Sequence, residues 1–319
     1  MTKPVALYYR IMHFHQENRH LIDTLFDCIE LDDPTSDTEE ILRAVEVLFA
    51  PLGFPVDAPK IRQCKNLRAI VSNTTGIRHI DVEAATKSDI AICALHDEQI
   101  FLNTITPTAE HTIGLMLAAW RQIPSAHLAV LRGEWRRKDW GAPRMFSRMC
   151  LGLVGYGRLG KKVAATAKAM GLTVNYYDPY VEGGADGIID LAATSDILSL
   201  HAVSTDETLG LVSKSVLETL PKNSMVINTA RGELLDTDAL LDLMETGHII
   251  AAALDTVNGE YDLNFEATLG ESRLLEYARS HSNLILTPHI GGSTFDAWQE
   301  TQHRVLQKAA VALNMELPI

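Results

Sequence analysis

The strongest constraint on what this chain can fold into is a regular alternation of short apolar, β-branched runs with helical stretches, bounded by turn residues. Repeated strand–helix units bury their apolar faces as a parallel sheet covered by helices on both sides. The alternation occurs twice. One series predicts strands at Val5–Tyr9, Val45–Phe49, Leu67–Ser72 and Ile90–Ala94. The other predicts strands at Leu151–Gly155, Thr173–Tyr177, Asp196–Leu200, Ser224–Asn228, Ile249–Leu254 and Leu284–Thr287. Between them, Thr106 followed by Pro107 predicts a capped helix start, with Pro124 limiting the far end. Trp298–Leu313 reads as a final helix. The 319 residues therefore divide into two α/β domains, with breaks expected near residues 101 and 289.

Gly155-Tyr156-Gly157-Arg158-Leu159-Gly160 follows a predicted strand and opens an amphipathic helix through Val163, Ala167 and Met170. In that context a G-x-G-x-x-G is a dinucleotide fingerprint. The first Gly permits a tight turn, the second admits the pyrophosphate to the backbone, and the third lets helix pack on strand. Free N–H groups and the dipole at the helix start favour the anion. The next strand ends in Asp178, 18 residues beyond Gly160 and placed to accept ribose hydroxyls. A carboxylate there selects NAD over NADP.

Three later segments each follow a predicted strand: Asn228-Thr229-Ala230-Arg231-Gly232; Ala253-Leu254-Asp255 with Glu260; and Thr287-Pro288-His289-Ile290-Gly291-Gly292. Ligands bind at the carboxyl ends of parallel strands, so Arg231, Asp255, Glu260 and His289 should converge. The planar guanidinium of Arg231 suits a carboxylate and a carbonyl, and His289 suits proton transfer near working pH. Together the segments resemble the signatures of the D-isomer-specific 2-hydroxyacid dehydrogenases, a group that includes phosphoglycerate dehydrogenases and glyoxylate-hydroxypyruvate reductases. The likeness extends to Ile70–Asp81 and to the helix Thr108–Trp120.

That resemblance implies two Rossmann-like doubly wound domains: a flavodoxin-like substrate domain (1–100 with 289–319) and an NAD-binding domain (101–288), with the active site in the cleft between them. It implies hydride exchange between a 2-oxo acid and a D-2-hydroxy acid. Arg231 binds substrate, and His289 is the acid/base, kept as the imidazolium by Glu260. Gly155, Gly157, Arg158, Leu159, Gly160, Asp178, Thr205, Thr229 and Ala230 take NAD. Asp255 contacts the nicotinamide, with Thr108 beside it. Asn73, Thr74, Thr75 and Gly76 are the substrate-carboxylate loop, departing from the family's common Arg-Ala-Gly-x-Gly form. The partners implied are a small anionic acid and a second copy of the chain, which Trp135 and Trp140 help to bind.

Other features leave alternatives open. Val203 stands where the family usually has Pro, although Thr205 and Thr208 match. The 29-residue interval from Glu260 to His289 reads either as a lid or cleft wall or as a surface excursion, with a helix around Leu274, Leu275 and Ala278. His13 and His15, with Arg10 and Arg19, read as a polar loop, a cationic rim for a second anionic group, or a metal pair without a third ligand. The net charge of −13 argues against nucleic acid, and the cluster Arg132, Arg136, Arg137 and Lys138 is interleaved with acids and tryptophans. Cys28, Cys64, Cys93 and Cys150 are too scattered for a zinc or redox motif and read as reduced apolar residues, with no metal expected. No leader is visible at MTKPVALYYR and no apolar run reaches about 18 residues, so a cytoplasmic, non-membrane protein is expected. The regulatory domain that follows the last helix in some phosphoglycerate dehydrogenases is not expected here. Rival functions are phosphite oxidation on the same site and an NAD(H)-sensing, non-catalytic regulator.

Overall fold

The computed structural model describes residues 2–141, 143–262 and 264–317. The chain divides into two units, Met1–Ile105 with Thr294–Ile319, and Thr106–Ser293. The breaks thus fall five residues later than expected at each end. Thr106-Pro107 begins a helix that packs on the second sheet, and the backbone N–H groups of Ile290 and Gly291 are bound by Asp255. His289 therefore belongs to the second unit, not to the returning segment of the first.

In the first unit, β1 (Val5–Tyr9), β2 (Asp27–Leu31), β3 (Val47–Phe49), β4 (Ala69–Val71) and β5 (Ala91–Cys93) form a parallel sheet in the order β2-β1-β3-β4-β5. This is the flavodoxin-like order. Side chains alternate across it: Ala6, Tyr8, Val47 and Phe49 enter one core, and Leu7, Tyr9 and Leu48 the other. The helix Phe295–Ala312 returns to the first of these cores through Val305, Leu306, Ala309 and, just beyond it, Leu313. Strand β2, a sheet edge, is absent from the sequence expectations because its apolar pattern is broken. Its Asp27 and Glu30 interrupt the apolar pattern, and edge strands tolerate charge where central ones do not.

In the second unit, β6 (Cys150–Val154), β7 (Thr173–Tyr177), β8 (Ile197–Leu200), β9 (Ser224–Asn228), β10 (Ile249–Leu254) and β11 (Leu284–Leu286) pair in parallel in the order β11-β10-β9-β8-β6-β7. The order reverses at β6, so a crevice opens beyond its carboxyl end. The helices Pro107–Trp120 and Arg158–Ala169 cover one face through Met116, Ala119, Val163 and Ala167. Thr106 precedes that first helix but does not cap a backbone N–H, and its hydroxyl bonds Glu110 instead. Pro124 does not limit the helix: it lies in the first turn of the next one, Ile123–Leu131, after a left-handed Gln122.

The interval after Glu260 holds the helices Phe265–Leu269 and Arg273–Ser280, with Leu263 outside the described residues. Leu274 and Tyr277 are buried in the core that contains Leu240 and Met244, and Arg273 pairs with Asp242 and Glu245. That half of the interval is a docked element of the second unit rather than a lid.

Candidate active site

The Gly-rich turn hangs on β6. Gly155 has φ 95°, and a Cβ there would lie 2.6 Å from the backbone nitrogen of Ala202, so only Gly fits. Gly160 packs against the Gly155 carbonyl, where a Cβ would come within 2.4 Å. Gly157 differs: its φ of −73° suits any residue and a Cβ would meet nothing within 4 Å. The space over Gly157, at the start of the helix Arg158–Ala169, is therefore open. That is what close approach of a pyrophosphate requires. Asp178, at the end of β7, accepts the Tyr156 N–H (2.7 Å) and the Tyr180 N–H (3.0 Å). It pins the turn as well as standing half-exposed beside it. Tyr156 stacks on Tyr176, with ring centroids 3.7 Å apart. Thr205 closes a turn with Thr208, whose hydroxyl reaches the Val203 carbonyl (2.7 Å), so this loop is tied without the usual Pro.

The polar segments lie at the same edge, because β9, β10 and β11 run parallel to β6. Beyond β9, the Asn228 side chain braces the turn by accepting from the Ala230 N–H and donating to the Arg231 carbonyl. Gly232 then permits contact with the next loop, since a Cβ there would fall 2.0 Å from the Val257 carbonyl carbon. That contact holds the Arg231 turn against the loop that carries Glu260. His289, beyond β11, has a left-handed φ of 52°. Its N–H donates to the carbonyls of Asp255 and Thr287, and its Nδ1 lies 2.8 Å from Glu260 Oε1. A carboxylate can only accept, so the proton sits on Nδ1 and leaves Nε2 to exchange protons with a ligand.

Asp255, expected to contact the nicotinamide, is bound within its own unit. Its side chain is 1% exposed. It accepts from the Thr287 hydroxyl (2.6 Å) and from the N–H groups of Ile290 (2.9 Å) and Gly291 (2.8 Å). His111 Nε2 stands 3.2 Å from it. Asp255 is the buried organiser of the His289 turn. Thr108 lies near Gly291, and Thr112, one turn along, bonds Thr229 (2.7 Å), so the helix Pro107–Trp120 joins the same edge.

In the first unit, the loop Asn73–Gly76 follows β4. The Thr74 hydroxyl donates inward to the Gly76 carbonyl (2.8 Å) and lies 3.0 Å from Ser72 Oγ, which also meets His79. Thr75 is exposed and Asn73 half-buried. Of the cationic group around His13 and His15, Arg10 pairs with Glu30 and Asp32, and Arg19 with Asp23 and Glu30. The His15 ring meets Phe295 edge-on. Burial pushes the thiols of Cys28, Cys64 and Cys93 up to about 11. Among the described residues no group of His, Cys, Asp and Glu is placed to share a metal ion, and no helix is long and apolar enough to cross a membrane.

The NAD binding domain of the D-isomer specific 2-hydroxyacid dehydrogenases matches residues 113–291, more than half of the chain. The chain belongs to this family. The D-3-phosphoglycerate dehydrogenase of Archaeoglobus fulgidus is 35% identical to it over 270 residues, 81% of this chain and 48% of that protein. That of Methanocaldococcus jannaschii is 33% identical over 291 residues, 88% and 52% respectively. The chain thus spans about half the length of these curated relatives. In fold it is similar to the crystal structure of D-lactate dehydrogenase from Aquifex aeolicus complexed with NAD and lactic acid, with a TM-score of 0.81 over 97% of this chain and 95% of that one at 22% identity. NAD is the cofactor of this dehydrogenase family member, and the Gly155–Gly160 turn with Asp178 fits it.

Two residues of the candidate site carry no signal at sequence level. His111 was visible only as part of a helix start, yet it joins Thr287 (3.1 Å) and Asp255. Tyr261, next to Glu260, places its hydroxyl 3.1 Å from His289 Nδ1.

Proposed function

We propose that this chain is an NAD-dependent oxidoreductase that interconverts a 2-oxo acid and a D-2-hydroxy acid. The observation that carries the reading is the Glu260–His289 pair, set with Arg231 on the same sheet edge as the Gly155 turn. When bound, the nicotinamide would supply the hydride for the carbonyl carbon. The guanidinium of Arg231 serves the carboxylate and the carbonyl oxygen, and His289 Nε2 gives its proton to the developing alkoxide. Glu260 favours the imidazolium and fixes the tautomer. Gly155, Gly157, Arg158, Leu159, Gly160, Asp178, Thr205, Thr229 and Ala230 hold the dinucleotide. Asn73, Thr75 and the backbone of Gly76 take the substrate carboxylate, with Thr74 as the brace of that loop.

The test is NADH consumption over a panel of 2-oxo acids. Turnover with at least one acid, cut roughly 10²-fold or more by His289→Gln or Arg231→Ala with folding intact, supports the assignment. NAD reduction by phosphite, or tight NADH binding without turnover on any acid, would replace it by the phosphite or the regulator reading.

We also infer a homodimer through the second unit. Ile123, Leu128, Leu131 and Met145 are exposed, and Trp135 is 84% exposed, an apolar group that a monomer would leave in water. A single monomeric mass in light scattering refutes this.

A further inference from the structure

The turn that presents Glu260 presents a second group to the same imidazole. The Asp262 N–H bonds the Gly259 carbonyl (2.8 Å) and Gly259 has φ 78°, so Glu260 and Tyr261 occupy the two corner positions of a tight turn. Glu260 Oε1 is 2.8 Å from His289 Nδ1 and Tyr261 Oη is 3.1 Å from the same atom. Nδ1 bears one proton, and a carboxylate cannot donate one, so the phenol oxygen is a second acceptor. The rings do not stack: their centroids are 6.0 Å apart at 53°, and the contact is through the hydroxyl. Burial, reinforced by Glu260 and opposed by Arg231, pushes the Tyr261 phenol up to about 12, so it stays protonated at any working pH. Glu233 and Asp255 are the other charges near Tyr261, and His111 lies behind Asp255.

We propose that Tyr261 is a positioning residue for the acid/base: it shares the Nδ1–H of His289 with Glu260 and so fixes the direction of Nε2. A ring held by one acceptor can pivot about that bond, whereas two acceptors on one turn define its plane. The shared bond also favours the charged imidazole, which donates more strongly than the neutral one. This role rests on the acid/base reading of His289.

Tyr261→Phe keeps the ring and removes the bond, while Tyr261→Leu removes both. The primary readout needs no substrate: the nitrogen shifts of His289, assigned by comparison with His289→Gln, are followed against pH in histidine-labelled protein. Both Tyr261 variants should lower the His289 midpoint by roughly half a unit, about what one hydrogen bond supports. With an acid that turns over, kcat should fall roughly threefold to tenfold, its pH limb should move in the same direction, and KM for NADH should hold. An unmoved midpoint in Tyr261→Phe overturns the proposal, and so does a raised one, which would make the phenol a donor to Nδ1. A lowered midpoint in a protein that reduces no 2-oxo acid would support the Tyr261 contact and sink the functional reading instead.

Discussion

Replacing Asp255 by Asn changes one oxygen to an NH2 group and should loosen the acid/base turn from beneath. The carboxylate accepts from Thr287 and Ile290 at Oδ1, with His111 Nε2 3.2 Å from the same oxygen, and from the Gly291 N–H at Oδ2. A carboxamide serves one of these sites as an acceptor. Its better orientation keeps the Oδ1 partners and sets NH2 against the Gly291 N–H, donor against donor, in a position 1% exposed. Losing a hydrogen bond to a charged acceptor costs about 1.5–3 kcal/mol, and stranding a buried N–H about 1–3 kcal/mol, so the sum is about 2.5–6 kcal/mol. For a cooperative unit of this size each kcal/mol moves the midpoint by about 2–4 °C, giving a fall of roughly 10 °C. Circular dichroism melts of the full chain read the midpoint. NADH turnover well below that midpoint should also drop, because the carbonyl and amides that hold His289 share the turn. A variant that melts within about 2 °C of the parent and turns over normally would refute Asp255 as the organiser.

Gly155→Ala and Gly157→Ala should separate folding from cofactor binding. The first forces a Cβ onto Ala202 at φ 95° and should lower the melting midpoint by roughly 10 °C, whereas the second should leave it in place and weaken NADH binding at least roughly tenfold in a fluorescence titration. Asp178→Ala should raise KM for NADH and shift preference toward NADPH; an unchanged ratio of the two would exclude a ribose contact. His201, half-buried beside Ser199, is pulled down by burial from 6.5 to about 4. The unfolded chain therefore takes up a proton near pH 6.5 that the folded chain refuses, and stability should fall as the pH drops from there toward 4. His201→Gln should flatten the melting profile in that window, and an equal slope in both proteins would assign the acid loss to other groups.

The strands most accurately legible in the sequence, such as β1, β7, β9 and β10, are those whose neighbours bury them on both faces, or whose β-branched and aromatic residues stand out. Edge strand β2 was illegible for the opposite reason. The Gly-rich turn was legible because steric demands at Gly155 and Gly160 act within a few residues. Glu260 and His289 were recovered through family segments, and no local rule would have paired side chains 29 residues apart. Arg10 and Arg19 show the limit of reading charge in one dimension: besides Asp23, one turn along the helix of Arg19, their acidic partners lie up to 22 residues away on the neighbouring strand and the turn beyond it.

By itself the sequence determined the two sheets, the site of the dinucleotide turn and the segments that end each catalytic strand, because each depends on local backbone preference and apolar period. Tertiary structure alone decided that His289 belongs to the second unit, that Asp255 is an organiser, that Thr74 braces its loop, and that Tyr261 and His111 join the site. The physical reason is that these assignments are hydrogen bonds whose partners are brought within about 3 Å by sheet register and turn geometry, and few of them leave a trace in residue type or spacing.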